Sequence, residues 1–201
     1  MRGKEQLMVG LVQTQAFIRE VLMGKEPKFS FSQEAKEALR ELVMRDNPRG
    51  SEAWFLASGR GFLVERVYTQ EQFSEGSRFR RVKKDVFESS VGFEEYRALL
   101  GQIRSQGHSQ EIVPFLGHLH PTGIFNIGGE NIDSTADESC LLPSKGDMEC
   151  WGSLIKEGPP FYHAIAANTG KGPFVRIYSL RPLLIRPHCK RLPYATIELD
   201  S

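Results

Sequence analysis

The sequence predicts an α+β domain with a mixed, mostly antiparallel sheet flanked by helices. Three observations predict it. Helical and strand periodicities mix along the chain without a regular βαβ alternation. Hairpin signals recur, each a pair of apolar runs around a short glycine-containing turn. No internal repeat or low-complexity segment points to a solenoid or a fibre. The 201 residues suffice for one domain with a substantial core.

Residues 1–27 read as an N-terminal helical extension, and 28–201 as the main domain. Leu11, Phe17, Ile18, Val21 and Leu22 fall near one helical face, and Gly24 and Pro27 close the segment. Lys28 to Ser32 alternates like a short strand. Ser32 or Ser30 then caps a helix to about Arg45, with Ala35, Ala38, Leu39, Leu42 and Val43 inward. Asn47-Pro48-Arg49-Gly50 ends it with turn chemistry. Glu52 to Ala57 reads as a buried strand, and Phe62 to Tyr68 returns from the Ser58–Gly61 turn as its hairpin partner.

Arg78 to Phe87 reads as another strand. Its Arg78, Arg80, Arg81, Lys83 and Lys84 make a basic cluster, either a solvated face or a docking surface for an acidic partner. Phe93 to Ser105 is helical, with Tyr96, Leu99, Leu100 and Ile103 in register, and Gly107 stops it. Ile112 to His120 is a buried strand bounded by Pro121. Residues 122–142 show little periodicity and read as a long loop. Ser144 to Ile155 is a helix. Phe161 to Ala167 and Phe174 to Tyr178 are strands around an Asn168–Gly172 turn, and Leu183 to Ile185 and Ala195 to Leu199 add edge strands.

Composition narrows the function. Lys plus Arg is 26 against 25 for Asp plus Glu, so no basic excess marks a nucleic-acid binder, and none is expected as partner. Three widely spaced cysteines make no disulfide framework and fit a reducing, cytoplasmic setting. No apolar run is long enough to cross a bilayer, so no membrane partner is expected. Gln13, Thr14 and Gln15 interrupt the N-terminal apolar stretch, unlike a signal peptide.

Chemistry concentrates in His118-Leu119-His120-Pro121. On a strand, residues two apart share a face, so both imidazoles can converge on one ion while Leu119 turns to the core. Downstream, Pro143-Ser144-Lys145-Gly146-Asp147 opens a helix. Asp147 falls in its first turn, where the helix dipole favours a carboxylate. Two histidines and one aspartate, with a fourth position left for water, form the donor set of a catalytic zinc site. Ser144 and Asp147 also satisfy a plain capping box, and the two readings are compatible. Hydrolysis further needs a base. Glu52, at the mouth of an apolar strand, is one candidate, and Glu65 and Glu71 are rivals.

The ordered set Glu52-Ala53-Trp54-Phe55-Leu56-Ala57-Ser58-Gly59, Gly117-His118-Leu119-His120-Pro121 and Pro143-Ser144-Lys145-Gly146-Asp147 resembles the MPN/JAMM zinc metallopeptidase family, in its prokaryotic JAB/MPN form. The likeness covers about residues 28–180. It implies a cytidine-deaminase-like fold, with Zn²⁺ held by His118, His120 and Asp147 and water as the fourth ligand. It implies that Glu52 takes the proton of that water and returns it to the leaving amine, and that Ser144 stabilises the oxyanion. The substrate implied is a protein or peptide, cut at a peptide or isopeptide bond such as the one at the tail of a ubiquitin-like protein. A non-catalytic MPN-type scaffold is the alternative, and a DNA-associated relative is a third reading.

Two departures stand out. Leu119 occupies a position usually taken by Ser or Thr. Residues 121–143 separate His120 from Ser144, where the family usually has seven. Such an insertion can form a lid or a substrate-selecting wall, or be an excursion without a role. Other chemistry-bearing residues read as structural. Cys140 and Cys150 are ordinary thiols, His163 belongs to an apolar strand, and His108 and His188 are exposed. Trp54 and Trp151 line the core or a cleft. Gly128-Gly129 is no phosphate loop.

Overall fold

Alternating side chains send apolar groups to both faces of one sheet, and each face carries a helix. The computed structural model describes residues 28–45, 53–69, 112–120, 122–127, 130–134, 137–157, 162–185, 189 and 191–200. The chain runs through β1 (Ser30–Phe31), α1 (Gln33–Met44), β2 (Trp54–Arg60), β3 (Leu63–Thr69) and β4 (Ile112–Leu119). It continues through β5 (Gly123–Ile127), β6 (Glu130–Ser134), a 3-10 turn at Glu138–Leu141 and α2 (Lys145–Glu157). It closes with β7 (Tyr162–Thr169), β8 (Gly172–Ser179), α3 (Pro182–Ile185) and β9 (Tyr194–Glu198).

Among the described residues, seven strands form one sheet in the order β1-β3-β2-β4-β7-β8-β9. The β1–β3 and β4–β7 pairs are parallel and the others antiparallel, so the mixed α+β architecture expected from the sequence is present. Gly61, at φ 62°, supplies the left-handed residue that turns β2 into β3.

Ser32 caps α1 as its position predicts: its Oγ accepts the Ala35 N–H at 3.1 Å and donates to the Glu65 carbonyl at 3.0 Å. Ala35, Leu39 and Leu42 then bury against Phe55, Phe115, Leu119, Ala164 and Val175 on one sheet face. On the opposite face Trp151, Leu154 and Ile155 of α2 pack with Ile165, Ala167 and Tyr178. Leu119 lies in the first core, so its neighbours His118 and His120 turn toward α2.

Two expectations are corrected. Residues 122–142 are not a featureless loop. β5 and β6 pair antiparallel from Gly123–Ser134 to Ile127–Glu130, and the 3-10 turn follows. Only Gly128 and Gly129 separate Ile127 from Glu130, and a two-residue Gly-Gly connection is itself a hairpin signal. Leu183–Ile185 is not an edge strand but part of α3. Pro182 occupies its first position, where a missing N–H is harmless, and Leu183 buries against the α2 side. The other edge strand is present as β9.

The extension 1–27, the turn 47–50, the basic cluster 78–84, the helix expected at 93–105, Glu52, Glu71, His108 and His188 lie outside the described residues. No described helix is long and apolar enough to cross a membrane.

Candidate metal centre

The site forms where the end of β4 meets the first turn of α2. Strand β4 is held on both sides. Trp54 pairs with His118 in the antiparallel β2–β4 ladder, and His118 pairs with Ile165 in the parallel β4–β7 ladder. The Leu119 N–H donates to the Ala53 carbonyl at 2.8 Å, and the His120 N–H to the Ala166 carbonyl at 3.0 Å. The two histidines therefore project from backbone that is fixed from both flanks.

Asp147 is set by a capping box. The Ser144 N–H donates to Asp147 Oδ2 at 2.6 Å, and the Asp147 N–H donates to Ser144 Oγ at 3.1 Å. Its carboxylate faces both imidazoles, with Oδ1 3.1 Å from His118 Nε2 and Oδ2 3.4 Å from His120 Nε2. The two Nε2 atoms stand 2.9 Å apart. Two bare lone pairs at that distance repel, so a proton or a cation must lie between them.

His118, His120 and Asp147 offer one donor atom each, all within 4.8 Å of one another. Three donors bound tetrahedrally to one Zn²⁺ lie about 3.3 Å apart. The two Nε2 atoms stand near that spacing at 2.9 Å, and the carboxylate meets them through different oxygens, Oδ1 at 3.1 Å and Oδ2 at 3.4 Å. Two imidazoles and a carboxylate also match the N and O ligands that zinc accepts, so the residues fit such an ion.

The charge states agree. Burial lowers the pKa of His118, which outweighs the pull of Asp147 toward protonation, so this ring is neutral at pH 7. Burial pushes the Asp147 carboxyl upward, but its contacts with His118 and His120 overcome this and hold it well below the usual carboxylate range. The set is therefore an anion with at least one neutral imidazole, poised for a cation.

Sequence reasoning missed the groups behind these candidate ligands. The Nδ1 of His120 lies 2.8 Å from the Cys140 carbonyl, which can only accept, so its proton sits on Nδ1 and Nε2 is left as a donor to metal. That carbonyl comes from the segment read as a loop. The Tyr178 hydroxyl fastens it by donating to the Leu141 carbonyl at 2.6 Å. The Nδ1 of His118 lies 3.0 Å from His163 Nε2. The sequence pattern alone makes His163 a structural residue of an apolar strand. Its one visible signal was a polar side chain among Tyr162, Ala164, Ile165 and Ala166.

Of the candidate bases, Glu65 bonds Arg60 Nε at 3.0 Å, beside the turn of the β2–β3 hairpin. His118 pairs at the other end of β2, roughly 15 Å along the strand, so Glu65 takes no part in the site. All three cysteines are free.

No family model matches the chain, and no curated protein matches it. Among solved structures it is similar to a protein from Desulfitobacterium hafniense determined in solution, at 16% identity and a TM-score of 0.45, covering 85% of this chain and 90% of that one. It is also similar to a JAB1/MPN domain protein from Archaeoglobus fulgidus, at 14% identity and a TM-score of 0.37, covering 76% of this chain and 91% of that one. Both likenesses are distant, and neither fixes a family for the chain.

Proposed function

We propose that the protein is a zinc-dependent hydrolase of the MPN/JAMM type, cleaving a peptide or isopeptide bond. The convergence of His118, His120 and Asp147 carries this reading, with one donor atom from each lying within 4.8 Å of the others. The ordered motif around Glu52, His118-Leu119-His120-Pro121 and Ser144-Lys145-Gly146-Asp147 supports it.

In this reading His118, His120 and Asp147 hold the ion. A bound zinc supplies Lewis acidity, lowering the pKa of its water to about 7. Glu52 accepts the proton of the attacking water and returns it to the departing amine. Ser144 keeps its Oγ at the helix start by accepting the Asp147 N–H, which leaves its hydroxyl proton to donate to the substrate carbonyl oxygen as charge develops there. The substrate class, extending to the tail of a ubiquitin-like protein, and the cytoplasmic location belong to the same proposal.

Two variants test it. Protein purified without chelator should carry one zinc per chain, and Asp147→Ala should carry none by elemental analysis. Glu52→Gln should keep its zinc and lose at least 100-fold in hydrolysis of an isopeptide-linked reporter. A metal-free parent would instead favour the non-catalytic MPN-type scaffold.

A further inference from the structure

We infer that His163 is a positioning residue for the metal centre: its Nε2 accepts the Nδ1–H of His118 and so keeps the His118 Nε2 lone pair aimed at the ion. This rests on the reading of His118, His120 and Asp147 as a metal-binding set.

A neutral imidazole carries one proton on two nitrogens. His118 can ligate through Nε2 only when that proton is on Nδ1. Its Nδ1 is buried, and the partner there is His163 Nε2 at 3.0 Å. With the polarity reversed, His163 would donate, the His118 proton would move to Nε2, and the N–H would point at Asp147 and block coordination. Metal binding is thus tied to one tautomer of His163. His120 has no such freedom, because its partner is a backbone carbonyl. The second histidine decides the state of the first.

Among the described residues, the side chain of His163 has no hydrogen-bond partner besides His118. It is buried on the α2 face of β7, with the Trp151 ring centroid 4.7 Å away and tilted by 38°. When Nε2 accepts, the proton of His163 sits on Nδ1, and that atom has no hydrogen-bond partner among the described residues. A buried donor without a partner is unfavourable. A leucine or phenylalanine would suit this apolar position better if packing were the whole role. Trp151 holds the ring, and the ring holds His118.

The test compares the parent with His163→Leu and His163→Gln, measuring Zn²⁺ affinity by chelator competition and checking each metal-free fold by circular dichroism. Leucine removes the acceptor, and affinity should fall about 10–100-fold. Glutamine offers a side-chain oxygen as acceptor and should recover most of the loss. A folded leucine variant that binds as tightly as the parent overturns the inference, as does a folded glutamine variant that loses as much as leucine. Should the leucine variant not fold, ¹⁵N–¹H correlation spectra of the zinc-loaded parent decide. Protons on Nδ1 of both His118 and His163 support the inference, and a proton on His163 Nε2 refutes it. A parent that binds no zinc removes the metal-site reading and this inference together. A parent and leucine variant that bind equally remove this inference alone.

Discussion

Cys140 contributes to the site through its backbone and not through its sulfur. Its carbonyl accepts from His120, while its thiol is turned toward the Asp137 carbonyl at 2.7 Å. Burial, with the nearby Asp137 carboxylate, pushes the thiol up to about 11. At pH 8 only about one in a thousand such thiols is ionised. Cys150 and Cys189 are both partly exposed. Treatment of the native protein with a disulfide reagent at pH 8 should therefore modify Cys140 last, and peptide mapping would read the order. Early modification of Cys140 would mean that the 137–141 segment opens in solution. At this scale His118, His120 and Asp147 were legible as candidate ligands, because strand alternation and a capping motif are local patterns. His163 was not. Nothing near it in sequence says that its partner lies 45 positions away.

The strands and helices place these residues, and β4 is the element on which most depends. Gly117 sits between Leu116 and His118 and faces Phe55 across the β2–β4 ladder. A Cβ there would come within 2.3 Å of the Phe55 ring. That ring is fully buried and packs edge-on against Phe115 at 6.3 Å, so it has little room to yield. Gly117→Ala should destabilise the protein by about 1–3 kcal/mol, read as a lowered urea midpoint. An unchanged midpoint would mean that Phe55 repacks freely. Most elements were visible in the sequence from apolar periodicity and turn residues. The β5–β6 hairpin is not legible in the sequence because the runs flanking Gly128-Gly129 alternate only weakly. The α3 turn was missed because three apolar residues in a row carry no period of their own.

Over the whole molecule the site draws on three separated stretches: the end of β4, the run from Asp137 to Asp147, and β7. An ion shared by His118, His120 and Asp147 would clasp the first two, which otherwise meet through hydrogen bonds. Binding to the folded state alone adds about 2.7 kcal/mol at a hundredfold excess over Kd. For a chain of this size that corresponds to a rise in Tm of roughly 5–10 °C. Adding zinc to metal-free protein should produce this rise, and a chelator should reverse it. No change in Tm would count against a shared ion. The clasp also spans the β5–β6 hairpin, so what the sequence presents as an insertion lies between residues that the fold brings within 3.4 Å.

By itself the sequence determined the α+β class, the main strands and helices, and the candidate ligands His118, His120 and Asp147, because each is written in spacings of a few residues. Only the tertiary structure decided that Asp147 reaches both imidazoles, that His163 backs one of them and the Cys140 carbonyl the other, and that Glu65 stands apart. Those outcomes depend on strand register and on pairing between distant segments. Such contacts are set by the packing of the whole sheet between its two helical faces, and no local pattern encodes them.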